Sequence, residues 1–118
     1  MYQYAARVVR VVDGDTLDLE VDLGFRVVIR DRFRLAGINA PELSTSEGQA
    51  TALWLKNLLY PGSVLQVDTH KDSREKYGRW LAVIWQEGAD QAKAESINDQ
   101  LVRLGLAVRA VYLAPESA

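Results

Sequence analysis

The sequence predicts an α+β domain, mainly β, built as a five-stranded barrel with two helices. Three observations point there: short alternating or β-branched runs, two capped segments of helical periodicity, and glycine- or proline-bearing turns between them. Closure into a barrel leaves few open strand edges. Periodicity alone does not separate that barrel from an open sheet.

Residues 3–12, 17–23 and 26–35 read as strands, and Asp22-Leu23-Gly24 supplies a turn before the third, which predicts a three-stranded meander. In the third strand Arg30, Arg32 and Arg34 share one face. Val27, Ile29, Phe33 and Leu35 fill the other, with Asp31 the exception. Ser46 followed by Gln49 has the capping-box pattern, so a helix is expected over 46–59 with Ala50, Leu53, Trp54 and Leu58 on its apolar face. Pro61-Gly62 stops it. Two further strands are expected over 64–69 and 80–85, on either side of the polar stretch 70–79. A second helix starts at Ser96, carries Ile97, Leu101 and Leu104 on one face, and stops at Gly105. Residues 107–113 read as a last short strand. Trp54, Trp80 and Trp85 fall within apolar patterns and are expected in the core or half-buried.

With 118 residues and 48% of them hydrophobic, the chain is expected to form one domain spanning 1–118, large enough for a core without disulfides or metals as staples. The absence of cysteine excludes disulfide scaffolds, zinc–thiolate sites and cysteine nucleophiles. His70 is the single histidine, which excludes paired-histidine metal sites, and it is expected at the surface. No apolar run is long enough to cross a membrane as a helix, and the start lacks the apolar stretch of a secretory signal. The expected location is therefore cytoplasmic, or secreted if a leader was removed. A net charge of -2 argues against a general DNA-coating protein. Ten of the 14 basic residues are nonetheless arginine, the side chain suited to forked recognition of phosphate.

Several short strings carry chemistry. Asp13-Gly14-Asp15-Thr16 lies between two strands. It reads as a plain turn or as an oxygen-rich site for a hard cation. The three arginines at 30, 32 and 34 form a solvated face that an anion or acidic neighbours would relieve. Asn39-Ala40-Pro41-Glu42 is an irregular loop, because Pro41 lacks an N–H and biases Ala40 towards extended backbone. Glu42 is a surface charge or, beside an arginine and an acidic turn, a general base. Lys76-Tyr77-Gly78-Arg79 is a hairpin turn that also offers an arginine and an aromatic ring.

In this order, VVDGDT at 11–16, FRLAGINAPE at 33–42, EKYGRWLAVIW at 75–85 and SINDQLVRLGLA at 96–107 resemble the staphylococcal nuclease (thermonuclease) family. The resemblance implies an OB-fold barrel, Ca²⁺ dependence and endonuclease-type hydrolysis of phosphodiesters in DNA and RNA. By position it places Asp15, Asn39 and the Ala40 backbone carbonyl at the metal. Arg34 and Arg79 are carried over as the phosphate-binding pair, Glu42 as the general base and Tyr77 as a substrate contact. The implied reaction is in-line attack by water, with Ca²⁺ polarising the phosphoryl oxygens and both arginines stabilising the developing charge.

Three departures from the family pattern stand out. Asn39 replaces the usual second metal-binding aspartate, so weaker Ca²⁺ binding is expected, and Asp13 compensates only if its turn rotates. Val111 and Leu113 occupy positions where tyrosines surround the base, with Tyr112 out of register. The chain stops at Ala118, where the prototype continues into a third helix; a homodimer is one way to cover the face that helix would leave bare. The alternative function is a non-catalytic module of the same fold that binds nucleic acid or protein. A metal-independent oligonucleotide binder would need exposed aromatic rings among basic residues on a strand face, and only Tyr77 and the arginine strand supply that pattern.

Overall fold

The computed structural model describes residues 2–71 and 80–110. Chain order is β1 (Tyr2–Asp13), β2 (Thr16–Asp22), β3 (Val28–Leu35), β4 (Ile38–Asn39), α1 (Ser46–Leu58), β5 (Val64–Lys71), β6 (Trp80–Gln86), α2 (Ile97–Arg103) and β7 (Val108–Arg109). Five strands close into a barrel in the order β1-β2-β3-β6-β5, in which β3 and β6 run parallel and the other neighbours antiparallel. This is the OB-type barrel, and closure settles the question that periodicity left open. The short β4 pairs with β7 outside the barrel.

Alternation fills the interior. Leu17, Leu19 and Val21 of β2 face inward while Thr16, Asp18 and Glu20 face out, as a half-buried strand requires. Phe33, Leu35, Leu65, Val67 and Ile84 complete the packing from the neighbouring strands. Ile97 and Leu101 of α2 and Leu55 and Leu59 of the α1 segment join the same cluster. The arginine row has the acidic neighbours its repulsion calls for: Arg30 pairs with Glu20 at 3.0 Å and Arg32 with Asp18 at 2.8 Å, both across the β2–β3 ladder.

Some expectations are corrected. The cap of α1 is Thr45, not Ser46; its hydroxyl accepts from the Gly48 N–H. The helix buries Gly48, Thr51, Ala52 and Leu55 rather than the face through Ala50 and Leu53, and Leu53 is 58% exposed. Gly48 and Thr51 lie on the buried stripe where the 41–42 backbone and the Gly14 turn press on it. Of the expected face, Trp54 and Leu58 still pack partly against the core, while Leu53 and Ala50 face out. Leu104 is exposed too, just past the end of α2. The strand expected from residue 26 starts at Val28, because Gly24, Phe25 and Arg26 all take left-handed backbone at the hairpin tip. Val27 and Ile29 are consequently exposed, on a part of the β2–β3 hairpin where β3 has only β2 as a described partner. The loop expected at 39–42 contains the bridge residue Asn39, whose pairing with Val108 only the tertiary fold creates. Of the strand expected over 107–113, the described part is β7; residues 111–118, including Val111, Tyr112 and Leu113, lie outside the described residues.

Candidate active site

The turn Asp13-Gly14-Asp15-Thr16 joins β1 to β2, and β3 returns beside it so that Thr16 faces Arg34. Leu35 N–H donates to the Asp15 carbonyl at 2.8 Å, which fixes the turn against the end of β3. The Asp15 carboxylate is then held at both oxygens. Oδ1 accepts from the Thr16 hydroxyl at 3.1 Å and Oδ2 from the Ala40 N–H at 3.0 Å. Arg34 Nη2 lies 3.7 Å from Asp15 Oδ2, donates to the Ile38 carbonyl at 3.3 Å, and donates to Asn39 Oδ1. Both charged side chains are mostly withdrawn from water, with 19% of Arg34 and 13% of Asp15 exposed. Arg34 Nε is buried and has no hydrogen-bond acceptor among the described residues. A guanidinium in that state has donor capacity to spare for an oxyanion.

Two glycines set the spacing of this site. A Cβ on Gly14 would come within 2.7 Å of Ala40 Cβ and 2.7 Å of Thr51 Cγ2, so the turn touches both the 39–42 segment and α1. A Cβ on Gly48 would lie 1.9 Å from the Glu42 carbonyl oxygen. That carbonyl also accepts from the Thr45 N–H at 2.9 Å and the Thr45 hydroxyl at 2.7 Å. The backbone of Glu42 is therefore locked onto the start of α1 while its side chain is exposed.

Asp13 does not join the centre. Its Oδ1 accepts from the Asp15 N–H at 3.1 Å, and burial pushes its carboxyl above the ordinary range. It holds the turn's shape. Asp18, by contrast, is held below the usual carboxylate range by the hydrogen bond from Arg32.

Of the residues picked out from sequence, the structure brings Asp15, Arg34, Asn39 and Ala40 together and puts Glu42 on the adjoining segment. Tyr77 and Arg79 lie outside the described residues. Sequence reasoning missed the supports. Buried Asn98 accepts from the Ile84 N–H at 3.0 Å and donates to the Ala36 and Ala82 carbonyls at 3.0 Å each, tying α2 to β6 and to the end of β3. Thr51 donates to the Leu106 carbonyl at 2.6 Å. A polar residue at a core position of an apolar helix pattern was the available signal for Asn98.

The residues expected to hold a cation would offer only oxygens: the Asp15 carboxylate, the Asn39 amide oxygen and the Ala40 backbone carbonyl. In this arrangement Asn39 Oδ1 accepts from Arg34 and Asp15 Oδ2 from the Ala40 N–H. Among the described residues no group of three or more His, Cys, Asp or Glu side chains gathers. Such oxygens would suit a hard cation such as Ca²⁺ and not a soft one, and a single carboxylate among them would give weak rather than tight binding.

The comparisons with known proteins cover the part of this constellation that follows β2. The staphylococcal nuclease homologue family matches residues 32–117, a span containing Arg34, Asn39 and Glu42. The chain belongs to that family. Among related proteins, a micrococcal nuclease of Shigella flexneri is 34% identical over 107 residues, covering 88% of this chain and 57% of that protein. An uncharacterized endonuclease of Haemophilus influenzae is 35% identical over 101 residues, covering 86% of this chain and 49% of the other. Endonuclease YhcR of Bacillus subtilis is 29% identical over 117 residues, covering 89% of this chain and 9% of that protein. The staphylococcal-nuclease-like chain thus spans about half the length of the first two relatives.

Proposed function

We propose that this protein is a Ca²⁺-dependent nuclease that hydrolyses phosphodiester bonds of DNA and RNA by attack of water in line with the leaving oxygen. The observation that carries the reading is the meeting of Asp15, Arg34 and the 39–42 segment at one end of the barrel. Asp15, Asn39 and the Ala40 carbonyl would hold the ion, which when bound supplies Lewis-acid polarisation of a phosphoryl oxygen. Arg34 binds the phosphate through its guanidinium and stabilises charge building on the phosphoryl oxygens. Its position costs little reorganisation, because the Ile38 carbonyl and Asn39 already hold it in place. Glu42 takes the proton of the attacking water; an exposed carboxylate on a backbone pinned to α1 can reach solvent without the loop having to fold over it. Arg79 is assigned as the second phosphate-binding arginine and Tyr77 to the substrate's base, on family position alone.

The names of the Shigella, Haemophilus and Bacillus relatives support the same reading. The competing reading, a binding module without activity, draws on Asn39. Cleavage of single-stranded DNA and RNA by the purified chain, in millimolar Ca²⁺ against chelator and beside Glu42→Gln, separates the two. Calcium-dependent cleavage lost in Glu42→Gln supports the nuclease. Retained oligonucleotide binding with no cleavage in Ca²⁺ supports the module.

A further inference from the structure

Half of the exposed large apolar side chains among the described residues fall within positions 23–29, at the tip of the β2–β3 hairpin: Leu23, Phe25, Val27, Val28 and Ile29. Scattered singly they would need no explanation, but together they form a patch. Phe25 is 100% exposed. It sits at φ 56, between Gly24 at φ 82 and Arg26 at φ 64, and left-handed backbone is costly for a bulky side chain. The chain thus holds an aromatic ring out in water at the cost of local strain.

Beside the tip, at the mouth of the barrel, a pocket of about 210 Å³ opens between Tyr4, Val21, Leu23, Ile29, Phe33 and Trp80. It exists because β3 meets β6 only from Phe33 to Leu35, so the barrel gapes alongside Val28–Arg32, where β2 is the one described ladder partner of β3. An apolar cavity of about 150 Å³ takes a benzene ring, so this pocket has room for a phenyl group. Phe25 of the same chain does not fill it, being fully exposed. Alternation puts Asp31 on the side of β3 that carries Ile29 and Phe33, at the rim of the pocket. Its carboxylate accepts the Arg32 N–H at 2.8 Å and has no ion pair among the described residues, and neither has Arg26 beside Phe25. A charge pointing inward on an open edge also disfavours strand addition there, which leaves side-chain docking as the way to cover this end.

We propose that two copies of this chain associate about a two-fold axis, each inserting Phe25 into the mouth pocket of the other and setting Arg26 against Asp31 of the partner subunit. Knob and socket lie on the same end of one hairpin, so a single self-complementary contact satisfies both copies, as a two-fold interface requires. A buried phenylalanine contributes about 150–250 Å². Two of them, with the half-exposed Leu23, Val27, Val28 and Ile29 of each copy, bring the buried area to about 1,000 Å², the lower end of specific interfaces. Charge complementarity selects a second copy over a lipid surface or a small apolar ligand, because only the copy returns an acid to Arg26 and a base to Asp31. Arg34 pairs with Thr16 at the opposite end of these strands, so the Asp15–Arg34 cluster stays open in the dimer. The inference does not rest on the nuclease reading.

The test is analytical ultracentrifugation of the whole chain from micromolar to millimolar concentration. Wild type should pass from monomer to dimer across that range. Phe25→Asn removes the ring and tolerates left-handed backbone, so the fold is kept, and association should weaken by about tenfold or more, as when a buried aromatic anchor is truncated. Arg26→Glu and Asp31→Arg should each weaken the dimer, and the two together in one chain should restore it. A wild type that is monomeric throughout, a dimer that Phe25→Asn leaves unchanged, or a double reversal no tighter than the single ones overturns the proposal. Growth past the dimer overturns it too, since the contact then fails to close on a two-fold axis. A monomer that pellets with phosphatidylcholine vesicles, and no longer does so as Phe25→Asn, overturns it in favour of a lipid surface.

Discussion

The Asp15 carboxylate accepts a hydrogen bond from the Ala40 N–H at 3.0 Å, a contact spanning 25 positions of sequence. It fastens the segment carrying Asn39, Ala40 and Glu42 to the turn between β1 and β2. Asp15→Asn keeps an oxygen for that bond and removes only the charge. Calcium affinity, read by calorimetry, is expected to fall by about tenfold or more, with a small change in Tm, because affinity follows ligand charge. An equal affinity in the variant would remove Asp15 from the metal site.

Gly48 lets α1 lie directly under the Glu42 carbonyl, at a separation that leaves a Cβ 1.9 Å from that oxygen. Gly48→Ala must push the 41–42 backbone away from the helix. The expected cost is about 1–3 kcal/mol in stability, as for other overpacked sites. Cleavage should fall further than stability predicts, since Glu42 moves. Denaturant titration and steady-state rates on the same sample check both.

Asn98 uses its side chain for three hydrogen bonds to the backbone at 3.0 Å each, all buried or partly buried. Asn98→Ala leaves the Ile84 N–H and two carbonyls without these partners. A loss of about 3 kcal/mol or more follows from the desolvation of groups left unpaired. Urea unfolding measures it.

Much of this was legible in the sequence. The meander and both helices follow from alternation, capping and turn chemistry, the closed strand order comes only with the tertiary fold, and Asp15, Arg34, Asn39 and Ala40 are legible through the family resemblance. What was not legible depends on residues that carry no side-chain signal. Gly14 and Gly48 look like ordinary turn and helix glycines until the 39–42 segment packs on them. The start of α1 buries the small Gly48, Thr51 and Ala52 where the turn and the 41–42 backbone need room, so the expected face holds at Trp54 and Leu58 and fails at Leu53. Phe25 falls between the strands expected over 17–23 and 26–35, and nothing in the alternation around it signals its full exposure at the hairpin tip.

Asp68 is 5% exposed, and its Oδ1 has no hydrogen-bond donor among the described residues. Burial raises its carboxyl above the ordinary range. The unfolded chain releases this proton at a lower pH than the folded one, so the charge opposes folding at neutral pH. That opposition fades as pH falls through the folded value and then through the ordinary carboxylate range. Asp68→Asn should therefore raise Tm at about pH 7 and give no gain at about pH 3, below the ordinary aspartate value. A gain that is the same at both pH values would contradict the assignment.

The central claim is that the joined Asp15–Arg34 cluster performs hydrolysis. Its most direct test is the Ca²⁺-dependent cleavage rate of single-stranded DNA by wild type and Arg34→Ala, with Tm measured on the same samples. A fall of about 10² to 10³ in rate, the usual loss for one preorganised donor, with a folded variant, is the predicted result. A folded Arg34→Ala that cleaves at the wild-type rate would contradict it.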